Sequence, residues 1–175
     1  MLEYNKAGLD DLLKIQKIAY ETWPNTFGQI ISKEQLNYML DLIYNKDSLK
    51  EQIIHKGHNF ILAEEDSHSL GFTSYEIFFN SEPILMIHKI YILPSAQGFG
   101  IGTKFLNLLS EIAIQNSNNQ LRLKVNFKNY KAIHFYEKYG FKNVRSEITD
   151  IGNNYAILDN IMVKELKMVR YLPEN

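Results

Sequence analysis

The sequence predicts an α/β fold, and three observations carry that expectation. Leu121, Leu123 and Val125 alternate with Arg122, Lys124 and Asn126, the two-residue period of a strand with one buried face. Ile101, Phe105, Leu108, Leu109 and Ile112 recur with the period of an amphipathic helix. Between two such segments, the apolar run 84–93 feeds a loop with glycine at 98, 100 and 102, and a helix follows at once.

The elements follow in chain order. Residues 2–5 suit a short first strand. Asp10 and Asp11 stand near a helix start, where carboxylates favour the macrodipole. Leu12, Ile15, Ala19 and Thr22 give that helix its buried face, and Trp23-Pro24-Asn25 is expected to end it, because a residue before proline is driven out of the α region. Ser32-Lys33-Glu34-Gln35 reads as a capping box for a second helix carrying Leu36, Met39, Leu40 and Ile43. A further short helix is expected over 48–55, closed by Gly57.

Strands then take over. Phe60 and Leu62 lead through Glu64-Glu65-Asp66 into a hairpin, and 71–79 returns, rich in β-branched and aromatic residues. The strand over 84–93 and the glycine-loop helix come next, and Asn116-Ser117-Asn118-Asn119 stops that helix. After the strand at 121–126, Asn129 suits an N-cap and Gly140 a C′ position, bounding a short helix. Two more strands are expected near 144–150 and 155–163.

Composition bounds the function. A chain of 175 residues, 45% hydrophobic and 22% charged, suits a single globular domain over 1–175. A net charge of −1 supplies no electrostatic footprint for nucleic acid or an anionic membrane. With no cysteine, disulfides and a thiol nucleophile drop out. Without a signal-like leader or a long apolar run, a cytoplasmic protein is expected.

The glycine loop carries the chemistry. Glycines let a backbone approach a ligand closely, and N–H groups gathered at a helix N-terminus bind anions such as a pyrophosphate. A P-loop would need lysine directly after the glycine, but Thr103 separates Gly102 from Lys104. A dinucleotide fingerprint would need its third glycine one position later. The pattern Gln97-x-x-Gly100-x-Gly102 after a strand ending at Pro94 instead resembles the coenzyme-A pyrophosphate loop of the GNAT acetyltransferase superfamily. A second segment, Asn129-x-x-Ala132-Ile133-x-Phe135-Tyr136-x-x-x-Gly140-Phe141, is similar to that superfamily's downstream signature.

The resemblance implies the GNAT fold: a mixed, mostly antiparallel sheet of about seven strands, helices on both faces, and a splay after the fourth strand. It also implies acetyl-CoA as co-substrate. Backbone groups of Tyr91 and Ile92 would hold the pantetheine arm and thioester. The loop formed by Gln97, Gly98, Phe99, Gly100, Ile101, Gly102 and Thr103 would take the pyrophosphate, and Asn129 would help hold the arm. Tyr136 would protonate the leaving thiolate, a role its neutral phenol suits. His88, where many members carry a glutamate, is the expected base, against the alternative of a strand histidine satisfied by backbone. No cluster has metal-ligand spacing, so no metal is expected.

Outside 84–141 the resemblance is looser. The segment from Glu21-Thr22-Trp23 to Phe27, with Asp150-Ile151-Gly152 and 159–166, is similar to bacterial spermidine/spermine acetyltransferase-like members. Carboxylates of Glu21, Glu76, Asp150 and Asp159 beside Trp23, Phe27 and Tyr155 would suit a cation. A small primary amine, plausibly polyamine-like, attacking acetyl-CoA directly in a ternary complex is therefore the expected acceptor. A protein or peptide N-acetyltransferase and a non-catalytic acyl-CoA-binding module stay open beside it, as do monomer and homodimer.

Overall fold

The computed structural model describes residues 1–167; the last part of the domain expected over 1–175 lies outside them. Strand β1 (Leu2–Ala7) precedes three helices, α1 (Leu12–Phe27), α2 (Lys33–Tyr44) and α3 (Lys46–Ile54). Strands β2 (Asn59–Glu65), β3 (His68–Glu76) and β4 (Ile84–Ile92) follow, then α4 (Ile101–Gln115), β5 (Gln120–Asn126), α5 (Tyr130–Tyr139), β6 (Lys142–Gly152) and β7 (Tyr155–Glu165). The strands form one seven-stranded sheet in the order β1-β2-β3-β4-β5-β7-β6. Only β4 and β5 run parallel; every other neighbouring pair is antiparallel.

Alternation along β2 separates the two faces. Phe60 and Leu62 join Phe72 in a core with Ile15, Ile18, Trp23, Leu40 and Leu49 of the first three helices. Ile61 and Ala63 point the other way, onto Ile101 and Phe105 of α4. Leu85, Ile87, Leu121 and Leu123 continue that second face beneath Leu106 and Leu109 of α4 and Tyr136 of α5. The β6–β7 hairpin reaches back to the first face, where the Tyr38 hydroxyl donates to the Ile151 carbonyl at 3.0 Å.

Caps fall where side-chain chemistry puts them. Ser32 Oγ accepts from the Gln35 N–H at 3.1 Å, and Asn45 Oδ1 accepts from Ser48 N–H at 2.8 Å, starting α3 two residues earlier than its own sequence pattern suggests. Gly140 ends α5 at φ 103°, where its N–H reaches the Glu137 carbonyl.

Two expectations are corrected. Helix α1 does not stop at Trp23-Pro24 but runs on to Phe27 with proline inside it. Pro24 is exposed, so the carbonyl that loses its partner faces solvent, while Trp23 and Phe27 gain a ring contact at 4.8 Å one turn apart. Strand β3 ends at Glu76 rather than at residue 79, because Phe78 turns left-handed at φ 53° and Phe79 enters a short 3-10 turn.

Candidate active site

Strands β4 and β5 pair at four positions, 84–87 against 120–123, and then part. Beyond Ile87, β4 stays paired with β3 on its other side as far as Ile92, so its backbone groups facing β5 have no strand partner there. Free strand-edge donors and acceptors invite an extended, amide-bearing ligand to complete the ladder. The gap opens into a cavity of about 980 Å³ that reaches from α1 and α2 on one side to the glycine loop and α5 on the other.

The loop is shaped for an anion. Gly98 and Gly100 sit at φ +87° and +81°, conformations that other residues take only with strain. None of the backbone N–H groups of residues 98–103 donates in a turn or cap, and the first bonded amide is Lys104, to the Gly100 carbonyl at 2.9 Å. Those free amides lie at the N-terminus of α4, whose dipole favours negative charge. The Gln97 side chain locks the loop: its Nε2 donates to the Ile92 carbonyl at 3.2 Å and its Oε1 accepts from Lys131 Nζ at 2.6 Å. Asn129 caps α5 through Ala132 N–H at 3.3 Å.

Of the residues expected to hold coenzyme, Tyr91, Ile92, Gln97, Gly98, Gly100, Ile101, Gly102, Thr103 and Asn129 line the cavity. Phe99 does not, and its side chain is 78% exposed. The turn through Gly98 and Gly100 sends that ring to solvent.

Tyr136 is buried yet lines the cavity, and its hydroxyl makes no hydrogen bond among the described residues. Phe135 and Phe141 fix its ring at centroid distances of 5.3 and 5.7 Å. Burial pushes its pKa well above the ordinary phenol value, with Tyr91 adding to the rise, so the proton is firmly held. Tyr91, itself lifted to about 12 chiefly by burial, stands on the free stretch of β4.

His88 occupies a bulge. Ser74 opposes Lys89 and Tyr75 opposes Ile87, so His88 is the extra residue and side-chain alternation restarts after it. Lys89 turns toward α3, and His88 toward His58 in the loop that follows it. The His88 ring stacks on His58 at 3.8 Å, and its Nε2 lies 3.2 Å from Glu76 Oε2. Lys89 Nζ donates to Gln52 Oε1 at 2.6 Å. Burial drives the His88 pKa down to about 2, helped by His58, Lys89 and Lys124. His88 lines the cavity, with its ring held between His58 and Glu76.

His58, Glu76 and His88 each bring a metal-ligating atom within 4.8 Å of the others, from three elements far apart in sequence. The two imidazoles, however, lie 9° from parallel. In-plane lone pairs of stacked rings do not converge on one point, so the cluster is built as a hydrogen-bonded stack rather than a coordination shell.

On the acceptor side Trp23, Phe27 and Asp159 line the cavity, whereas Glu21, Glu76, Tyr155 and Asp150 do not. Glu21 is exposed and lies 3.9 Å from Lys17 along the helix. Glu76 is turned onto His88, Tyr155 packs on Tyr38 at 5.6 Å, and Asp150 Oδ1 caps the hairpin through Gly152 N–H. Sequence reading passed over Lys89, Tyr44 and Ile157, which also line the cavity. A lysine inside the most apolar strand was the one signal available for them.

Comparison with known proteins agrees with this geometry. The profile described as Acetyltransferase (GNAT) family matches residues 12–141. The chain is 28% identical over 145 residues to a spermidine N(1)-acetyltransferase of Thermoplasma acidophilum, covering 81% of this chain and 88% of that protein. It is 29% identical over 152 residues to an uncharacterized N-acetyltransferase of Archaeoglobus fulgidus, covering 83% of this chain and 96% of that one. Among solved structures, the PaiA N-acetyltransferase of T. acidophilum in complex with coenzyme A superposes with a TM-score of 0.79 at 27% identity, covering 94% of this chain and 99% of that one.

Proposed function

The chain belongs to the GNAT acetyltransferase family, whose reaction draws on acetyl-CoA, and on that premise we propose that it acetylates the primary amine of a small molecule. One observation carries the reading: the free edge of β4 beyond Ile87 leads to the unbonded amides of residues 98–103, with the unpartnered Tyr136 hydroxyl lining the same cavity. The amides take the pyrophosphate, the strand edge pairs with the pantetheine arm, and a β4 N–H near Tyr91 polarises the thioester carbonyl. Holding thioester and amine together removes much of the entropic barrier. The amine nitrogen forms the new C–N bond as the C–S bond breaks, and Tyr136 hydrogen-bonds and protonates the departing sulfur.

A polyamine acceptor is the second reading, supported by the name of the T. acidophilum relative. The deciding experiment is acetyl-CoA binding by calorimetry, followed by thiol release over a panel of small amines, polyamines and N-terminal peptides. Binding with amine-dependent release is expected. Binding without release from any amine would return the chain to a non-catalytic acyl-CoA module, and preference for peptides to the peptide reading.

A further inference from the structure

Resting on the acetyl-transfer reading, we infer that Asp159 receives the acceptor's ammonium group and takes its proton, and that the acceptor carries one positive charge on an apolar body rather than the several charges of a polyamine. Asp159 is the lone carboxylate among the residues lining the cavity. It stands on β7 opposite Asn126 of β5 and Glu147 of β6, and makes no hydrogen bond or ion pair among the described residues. The neighbouring Lys124 ammonium is already engaged by Glu147. A half-buried carboxylate without a partner is costly unless a cation arrives from outside.

Burial, with Glu147 adding and Lys124 opposing, raises the Asp159 pKa, toward the range where a carboxylate accepts protons usefully. Its charge is felt at Tyr91, on the free stretch of β4 proposed to hold the thioester. Here Asp159 differs from His88, whose protonation its surroundings resist.

Charge count sets the acceptor class. The residues lining the cavity include no carboxylate besides Asp159, so a second or third ammonium would find no partner of opposite charge there. On the side of the first two helices and β7 the lining is mostly apolar, with Phe27, Ile30, Ile31, Met39, Ile43 and Ile157 beside the polar Thr22, Asn25 and Thr26. That surface stabilises a hydrocarbon or aryl body and offers no second carboxylate to the charged middle of a polyamine.

Protons balance as follows. The ammonium gives one proton to Asp159, and the neutral amine attacks the carbonyl carbon. As the C–S bond breaks, Tyr136 donates its proton to sulfur and recovers one from the nitrogen. Asp159 releases its proton to solvent with the products, giving amide, free thiol and one proton.

The test is thiol release with 2-phenylethylamine, hexylamine, putrescine and spermidine. Wild-type kcat/KM for the two monoamines should exceed that for spermidine by at least 10-fold. Asp159→Asn should lose roughly 10²-fold in kcat/KM with acetyl-CoA affinity unchanged, and should regain activity as pH rises toward the amine's own pKa, where free amine needs no base. If that variant is poorly folded, Asp159→Ala supplemented with formate should recover part of the lost rate. A preference for spermidine overturns the acceptor class while leaving acetyl transfer standing. A wild-type rate in Asp159→Asn, or losses that neither pH nor formate relieves, overturns the role of Asp159. Absence of acetyl-CoA binding overturns the acetyl-transfer reading and this inference with it.

Discussion

A Cβ placed on Gly102 would stand 3.0 Å from Phe135 Cζ, so the first turn of α4 and the middle of α5 touch through a position that has no side chain. Gly100, two residues earlier, has open space around it and is constrained instead by its φ of +81°. The two glycines of one motif thus serve different physics: one admits a neighbouring helix, the other a backbone turn.

This difference is measurable. Gly102→Val should overpack the α4–α5 contact and cost about 1–3 kcal/mol, with part recovered in the double variant Gly102→Val/Phe135→Ala. Gly100→Ala should cost about 1–2 kcal/mol from left-handed strain alone, and Phe135→Ala should not relieve it. Thermal melts of the four variants separate the cases; equal rescue of both would show that the contact is not specific to Gly102.

Tyr136→Phe removes a hydroxyl that has no partner among the described residues, so the fold should hardly notice. Turnover should fall by about 10²-fold while acetyl-CoA affinity stays within about twofold. Single-turnover kinetics beside calorimetry check both halves, and an unchanged rate would return Tyr136 to a packing role.

Lys89 makes stability pH-dependent. Its pKa falls from 10.5 to about 7, chiefly by burial, so between those values the unfolded chain binds the extra proton. Stability therefore rises with pH across that window, and the penalty is fully present below pH 7. Relative to Lys89→Met, the wild type should gain on the order of 3 kcal/mol between about pH 7 and pH 10. Urea midpoints measured at both ends give the difference, and parallel curves for the two proteins would contradict it.

Phe72 has no exposed surface, and Tyr44, Phe60 and Tyr91 surround it at centroid distances of 5.7 to 6.3 Å. Phe72→Ala should cost about 3–5 kcal/mol and, by loosening Tyr91, should also raise KM for acetyl-CoA. A denaturation series with steady-state kinetics tests both effects.

What the sequence made legible was local. The glycine loop, the Asn129 cap and the Gly140 stop are set by residues within a few positions of each other, and they fell where expected. Pro24 misled because its solvent-facing position in α1 depends on packing by Trp23 and Phe27, which no local rule encodes. Glu21, Glu76 and Tyr155 were grouped by their place along the chain, but Glu21 faces solvent beside Lys17, Glu76 is turned onto His88 and Tyr155 packs on Tyr38. The bulge at His88 also breaks the two-residue alternation of β4, which a pattern read along one strand does not show. Asp159 was visible as an acid on a late strand; its lack of a partner was not, since that depends on Lys124 being taken by Glu147.

The short parallel seam has a further consequence. Only four register positions join β4 to β5, so few backbone bonds link β1–β4 to β5–β7 and the packing of α4 over both strands carries most of that joint. Amide exchange in the empty protein should report two separately opening units with the boundary at that seam. On the acetyl-transfer reading a ligand lies along this gap and braces it, so occupancy should slow exchange on the far side of each half as well as beside the ligand. The cofactor would then help to hold the two parts of the sheet together while the reaction proceeds.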